Sequence, residues 1–239
     1  MVTAEQGSPG SSGFARPVLS TKQPVPVDLG SWPRRQHFDF YLNTTPCTYA
    51  ITVHIDVTRF VETLRCTPWS AYVSQGWVLA TVVNRYDEFR MTLLESRQPG
   101  IWPEVHPSFT VLNPAQDTFA VVAVPYDPDF AAFHERAAAL MDTARGTTEM
   151  FPQGPLLPNV FDISSVPWAH FTGFQLNIRD GWDHFAPIFT IGKYARDAEK
   201  TVMPLAVQIH HAVADGFHVA RMINEVQKLF TTPDWLLKE

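Results

Sequence analysis

The chain has 239 residues, 45% of them hydrophobic and 13% aromatic, which is ample for a packed core and unlike a disordered chain. Its 18 Lys and Arg stand against 24 Asp and Glu, a net charge of −6 that offers no basic patch for a nucleic-acid backbone. No apolar run approaches the roughly 20 residues of a membrane span, no apolar stretch marks a secretory signal, and Cys47 and Cys66 are too few for a disulfide framework, so a soluble cytoplasmic chain with no membrane partner is expected.

Residues 1–30 read as a flexible N-terminal extension. Gly7 to Gly13 is a Gly/Ser/Pro run, and Pro17, Pro24 and Pro26 then favour extended chain. From residue 31 to 239 the composition is even and unrepeated, which predicts a single domain. Tyr49, Ile51, Val53 and Ile55 alternate with Ala50, Thr52 and His54, the period of a strand. Asp56 and Thr58 can open a short helix reaching Arg65, and residues 69–86 carry apolar side chains at helical spacing. Strands are predicted over residues 109–112 and 119–124, with Asn113, Pro114 and Asp117 turning between them. Asp129 can cap a helix running through Met141. Further strands are predicted over residues 160–164, 171–178, 187–194 and 202–209, and Asp215 then stands as the cap of a last helix. Several strands with fewer helices predict an α/β (α+β) two-layer sandwich, a mixed β-sheet covered by helices.

The segment His210–His218, HHAVADGFH, joins an apolar strand to a helix start. Adjacent residues of a strand face opposite ways, so only one of His210 and His211 can enter a given pocket. An imidazole there can act as a general base near neutral pH. Asp215 can cap the helix or pair with an arginine, and Gly216 permits close backbone approach. The same residues also suit an ordinary turn with a satisfied histidine.

HHAVADG occurs here with RRQHFDFY (34–41), MFPQG (150–154), DISSVPW (162–168) and GKY (192–194), in that order. Together these blocks resemble the chloramphenicol acetyltransferases, over roughly residues 30–230. HHxxxDG alone is shared with dihydrolipoamide acyltransferase cores and peptide-synthetase condensation domains; the other blocks and the length select this branch. The resemblance implies that fold, a homotrimer with active sites between subunits, and O-acetylation of chloramphenicol by acetyl-CoA, an antibiotic-resistance activity without a metal. It makes His211 the general base for direct transfer, Ser164 the donor to the oxyanion, and Thr190 a support acting through water. It also makes Asp215 and Arg34 a structural pair, and it leaves His210 a core histidine.

The implied acceptor pocket is lined by Phe40, Tyr41, Cys47, Tyr49, Phe119, Phe151, Phe174 and Leu176, each of which would otherwise read as plain core. Cys47 is expected to line this pocket without acting as a nucleophile. Trp32, Lys193 and Tyr194 are expected at acetyl-CoA, as aromatics for adenine or pantetheine and a cation near phosphate; the absence of a Gly-rich phosphate loop is consistent with CoA bound in a channel. Two positions depart from the family pattern. Tyr49 stands where Phe is common, and Asp162 stands where Asn is common, two residues from Ser164 and so on its strand face. These departures keep another hydrophobic alcohol open as acceptor; a second alternative, a catalytically weak scaffold binding hydrophobic ligands, has the intact set His211, Ser164 and Asp215 against it.

Overall fold

The computed structural model describes residues 22–177 and 183–238. Its ten strands and five α-helices among these residues are β1 (Val25–Pro26), α1 (Arg35–Asp39), β2 (Thr48–Asp56), α2 (Thr58–Leu64), α3 (Ala71–Val83), β3 (Met91–Leu93), β4 (Pro99–Ile101), β5 (His106–Asn113), β6 (Thr118–Ala123), α4 (Phe130–Ala144), β7 (Val160–Val166), β8 (Ile188–Gly192), β9 (Ala195–Asp197), β10 (Lys200–His210) and α5 (Gly216–Thr231). The main sheet runs β2-β10-β8-β7-β5-β6, with β9 beside β10. It is mixed: β7 pairs parallel with both β5 and β8, and the remaining pairs are antiparallel. A small sheet, β1-β4-β3, lies apart, and Val27 beyond β1 is buried.

Strand alternation sorts the two faces. Phe109, Phe161, Ile163, Phe189, Leu205, Val207 and Ile209 are fully buried under the helices. The other face carries the cross-strand row Thr52, Ala206, Thr190, Ser164, Thr110 and Val121, mostly small side chains. Helix α3 is apolar nearly all round, which places it inside the helical layer. It approaches the sheet so closely that a Cβ on Gly76 would stand 2.2 Å from the Phe109 ring.

Ser70 caps α3 by accepting from the Val73 N–H, and Asp129 caps α4 by accepting from the Ala132 N–H. Asp56 holds the entry to α2 by accepting from both the N–H and the hydroxyl of Thr58. The strand predicted over residues 171–178 is corrected for residues 171–177, which form none, while residue 178 lies outside the described residues. This stretch crosses the open face of the sheet instead of pairing within it. The Phe174 N–H donates to the Thr52 hydroxyl (3.3 Å), and Gln208 grips both the N–H (2.7 Å) and the carbonyl (2.9 Å) of Leu176. The Phe171 ring lies over Gly192, where a Cβ would meet it at 2.8 Å. The backbone groups of this stretch are taken by the Thr52 and Gln208 side chains on that face, so its strand-spaced apolar residues join no strand.

Candidate active site

His211 lies one residue past the end of β10, and backbone bonds from two directions fix it. Its N–H donates to the Cys47 carbonyl (2.9 Å). Arg34 donates to the His211 carbonyl from Nη2 (2.8 Å), to the Ala212 carbonyl from Nε (3.0 Å) and to Asp215 Oδ2 from Nη1 (2.6 Å). One guanidinium therefore spans the turn, using the fork geometry that a lysine lacks. The His211 imidazole stacks on Tyr41, with ring centroids 3.8 Å apart and planes 10° apart, and Tyr49 stands at 5.0 Å. Its buried Nδ1 meets no carboxylate, so the ring is oriented by stacking and by its pinned backbone. His210 turns elsewhere. It is fully buried against Phe185, and its Nδ1 accepts from the Ala212 N–H (3.1 Å).

Asp215 binds Arg34 and not the His211 ring. Burial by itself raises its carboxyl, but Arg34 and His218 outweigh burial and hold it below the usual carboxylate range. His218, to which the sequence reading gave no role, contacts Asp215 Oδ1 at 2.5 Å, and its Nδ1 faces the Asp215 N–H. The signal was present in the i, i+3 spacing of a capping box at the helix start. Because the folded pKa is depressed, the Asp215 carboxylate stabilises the fold above its ordinary value of 3.8, and that contribution is lost as pH falls through the folded value. Asp215→Asn therefore melts below wild type at pH 7, and the gap closes on acidification below 3.8; thermal melts across pH check this.

Phe40, Tyr41, Cys47 and Tyr49 gather at this end of the sheet with Arg34 and Asp215. Phe40 is 47% exposed beside Tyr41, while Cys47 is half-buried and burial pushes its thiol up, which disfavours the thiolate. The Tyr49 hydroxyl is buried without a hydrogen-bond partner among the described residues, and burial, with Asp215, pushes its phenol well above the usual range.

Ser164 and Thr190 face each other across β7 and β8, in the row on the open face. The Thr110 and Ser164 hydroxyls lie 3.4 Å apart, a long contact that leaves the serine hydroxyl able to turn to another acceptor. Asp162 shares this face, but its carboxyl meets His184 at 3.6 Å; burial raises Asp162 and lowers His184 to about 4. Phe119 and Phe151, both over 40% exposed, lie toward β6, and Phe174 and Leu176 ride on the crossing segment. In the MFPQG block, Gln153 grips the N–H and carbonyl of Ala123 on β6, and Gly154 takes a positive φ of 82° that suits glycine.

Within one chain these two groups of residues are apart. His210 pairs four residues beyond Ala206, which faces Thr190 and then Ser164. At ordinary strand rise and spacing this puts about 16 Å between the α-carbons of His210 and Ser164. The expected acetyl-CoA residues divide as well. Trp32 packs on Phe38, which packs on Phe185 just before β8, whereas Lys193 and Tyr194 follow the other end of that strand. Lys193 is exposed, and Tyr194 is half-buried with its hydroxyl accepting from Gln75 at 2.5 Å.

The fold defines the class first. A solved chloramphenicol acetyltransferase aligns with a TM-score of 0.80 at 18% identity, covering 87% of this chain and 100% of that one. A solved dihydrolipoamide acetyltransferase from Azotobacter vinelandii aligns at 0.63 and 17% identity, covering 98% of this chain and 100% of that one. The architecture is that of acetyltransferase cores.

Sequence then narrows it. The family model for chloramphenicol acetyltransferase matches residues 24–227. A chloramphenicol acetyltransferase of Streptomyces acrimycini is 57% identical over 89% of this chain and 97% of its own length, and chloramphenicol acetyltransferase 3 of Escherichia coli is 38% identical over 84% and 94%. The chain belongs to the chloramphenicol acetyltransferase family and is an acyltransferase.

Proposed function

We propose that the protein transfers the acetyl group of acetyl-CoA to a hydroxyl of chloramphenicol and so inactivates the antibiotic. His211 takes the hydroxyl proton as the oxygen attacks the thioester carbonyl. Ser164 donates to the resulting oxyanion, and Thr190 supports it through water. Collapse of the intermediate expels CoA thiolate, which recovers the proton from the His211 imidazolium. Transfer is direct, and no enzyme side chain is acetylated. Trp32, Lys193 and Tyr194 meet acetyl-CoA, whereas Phe40, Tyr41, Cys47, Tyr49, Phe119, Phe151, Phe174 and Leu176 wall the acceptor.

The observation that carries the mechanism is the clamp on His211: an imidazole stacked on Tyr41 with its backbone held by Arg34 and Cys47. The choice of acceptor follows the relatives that bear chloramphenicol in their names. The separation of about 16 Å between the His211 end and Ser164 supports a site shared between copies, in a homotrimer. Two free cysteines suit a reducing cytoplasm. Among the described residues, no helix is long and apolar enough to cross a membrane.

Release of CoA thiol from acetyl-CoA, measured with and without chloramphenicol, tests the reading. Turnover that depends on chloramphenicol supports it, and turnover that prefers another alcohol by a wide margin moves the assignment to that acceptor. Tyr49 gives a finer test. A buried, unpaired hydroxyl costs about 1 kcal/mol or more. Tyr49→Phe is expected to raise the melting temperature by a few degrees and, by removing a group that pairs with bound acceptor, to raise KM several-fold at little cost in kcat. An unchanged KM would show that the hydroxyl does not meet the acceptor.

A further inference from the structure

His54 and His170 form a pair outside the site described above. His54 stands exposed on β2, an edge strand of the main sheet, and His170 stands exposed just after Pro167 and Trp168, where the chain leaves β7. Their rings lie 4.8 Å apart, with planes inclined at 48°. Each ring already spends one nitrogen on a backbone carbonyl: His54 Nε2 on Phe171 (3.4 Å) and His170 Nδ1 on Lys193 (3.1 Å). A carbonyl only accepts, so both of these nitrogens carry the proton. In the neutral rings these bonds leave the lone pairs on His54 Nδ1 and His170 Nε2.

This is the arrangement that metal-ligating histidines adopt, in which the far N–H donates to a backbone carbonyl and sets both tautomer and ring direction. The spacing fits as well. A metal about 2.1 Å from an imidazole nitrogen lies about 3.2 Å from the ring centroid. Two centroids 4.8 Å apart are close enough for one ion to lie within that distance of both rings. Among the described residues no group of three or more His, Cys, Asp or Glu could hold a metal, so water completes the coordination.

We propose that His54 and His170 form a two-histidine site for a divalent transition ion, Cu²⁺ binding most tightly by the usual order of affinities. Occupancy would tie the edge strand β2 to the segment that crosses the open face of the sheet. This assignment does not depend on the catalytic reading, because binding and melting need no turnover.

The test uses untagged full-length protein carrying Cys66→Ser, which removes an exposed thiol that would compete for copper. Cu²⁺ is titrated and followed by electron paramagnetic resonance, then by thermal melts at saturation. One high-affinity ion per chain, hyperfine structure from two nitrogens, and a melting temperature raised by several degrees are expected. His54→Gln and His170→Gln should each weaken binding at least about tenfold and abolish the rise, since each leaves a single ligand. Unchanged affinity in either variant would overturn the site. So would a spectrum from the parent protein with one nitrogen or none, a result that does not depend on how either variant folds.

Discussion

His211→Ala lowers kcat with chloramphenicol by about 10³-fold while leaving KM within a few-fold. A positioned general base supplies roughly 10² to 10⁴ of rate, and among the described residues no other side chain at the His211 end is placed to replace it. His210 is buried against Phe185 with Nδ1 engaged, and Cys47 is held toward the neutral thiol. The proposed acceptor walls are apolar and aromatic, and the substitution leaves them in place. Stacking on Tyr41 and packing near Tyr49 make the imidazole part of the local surface, so a melt of the variant shows whether the turn survives. The measurement is steady-state release of CoA thiol at several chloramphenicol concentrations. Near-wild-type turnover would remove His211 from the mechanism, whereas a large rise in KM at normal kcat would make it a binding residue.

Ser164→Ala lowers kcat by about 10²-fold or more, again with little change in KM. A hydroxyl aimed at developing charge acts in the transition state and much less in the ground state, so its removal appears in turnover. Loss of one such donor costs roughly 3 kcal/mol. The Ser164 hydroxyl is free to turn for this duty, because its contact with Thr110 is long, at 3.4 Å. Mixing the two variants gives a sharper result. If His211 and Ser164 of one site come from different copies, unfolding and refolding a 1:1 mixture of His211→Ala and Ser164→Ala chains restores about one quarter of the sites. If both residues came from one chain, every site would lack one of them and the mixture would stay inactive. Activity in the mixture, read beside the native mass, tests the shared site and the trimer together.

Much of this was legible in the sequence because it rests on local rules. Alternation from Tyr49 to Ile55 gave β2, and helical spacing after Asp129 and Asp215 gave α4 and α5 with their starts. The motif blocks named the residues of the candidate site and paired Asp215 with Arg34, 181 positions apart. The alternation that found β2 failed over residues 171–177, because side chains of Thr52 and Gln208 take the backbone groups of this stretch in place of a neighbouring strand. Those partners lie on β2 and β10, far away in the chain, and no single segment encodes them. Asp162 shows the same limit: the pleat puts it on the face of Ser164, but only the packed loop supplied His184 as its neighbour.

The sequence by itself determined the class of fold, the family and the identity of the chemical groups, since those follow from patterns within short stretches. Tertiary structure decided how the groups are distributed. Strand order and register place the His211 turn at one end of the sheet and Ser164 about 16 Å away on its open face. That distance is fixed by which strands pair and at which residue, and it arises only when segments far apart in the chain have packed.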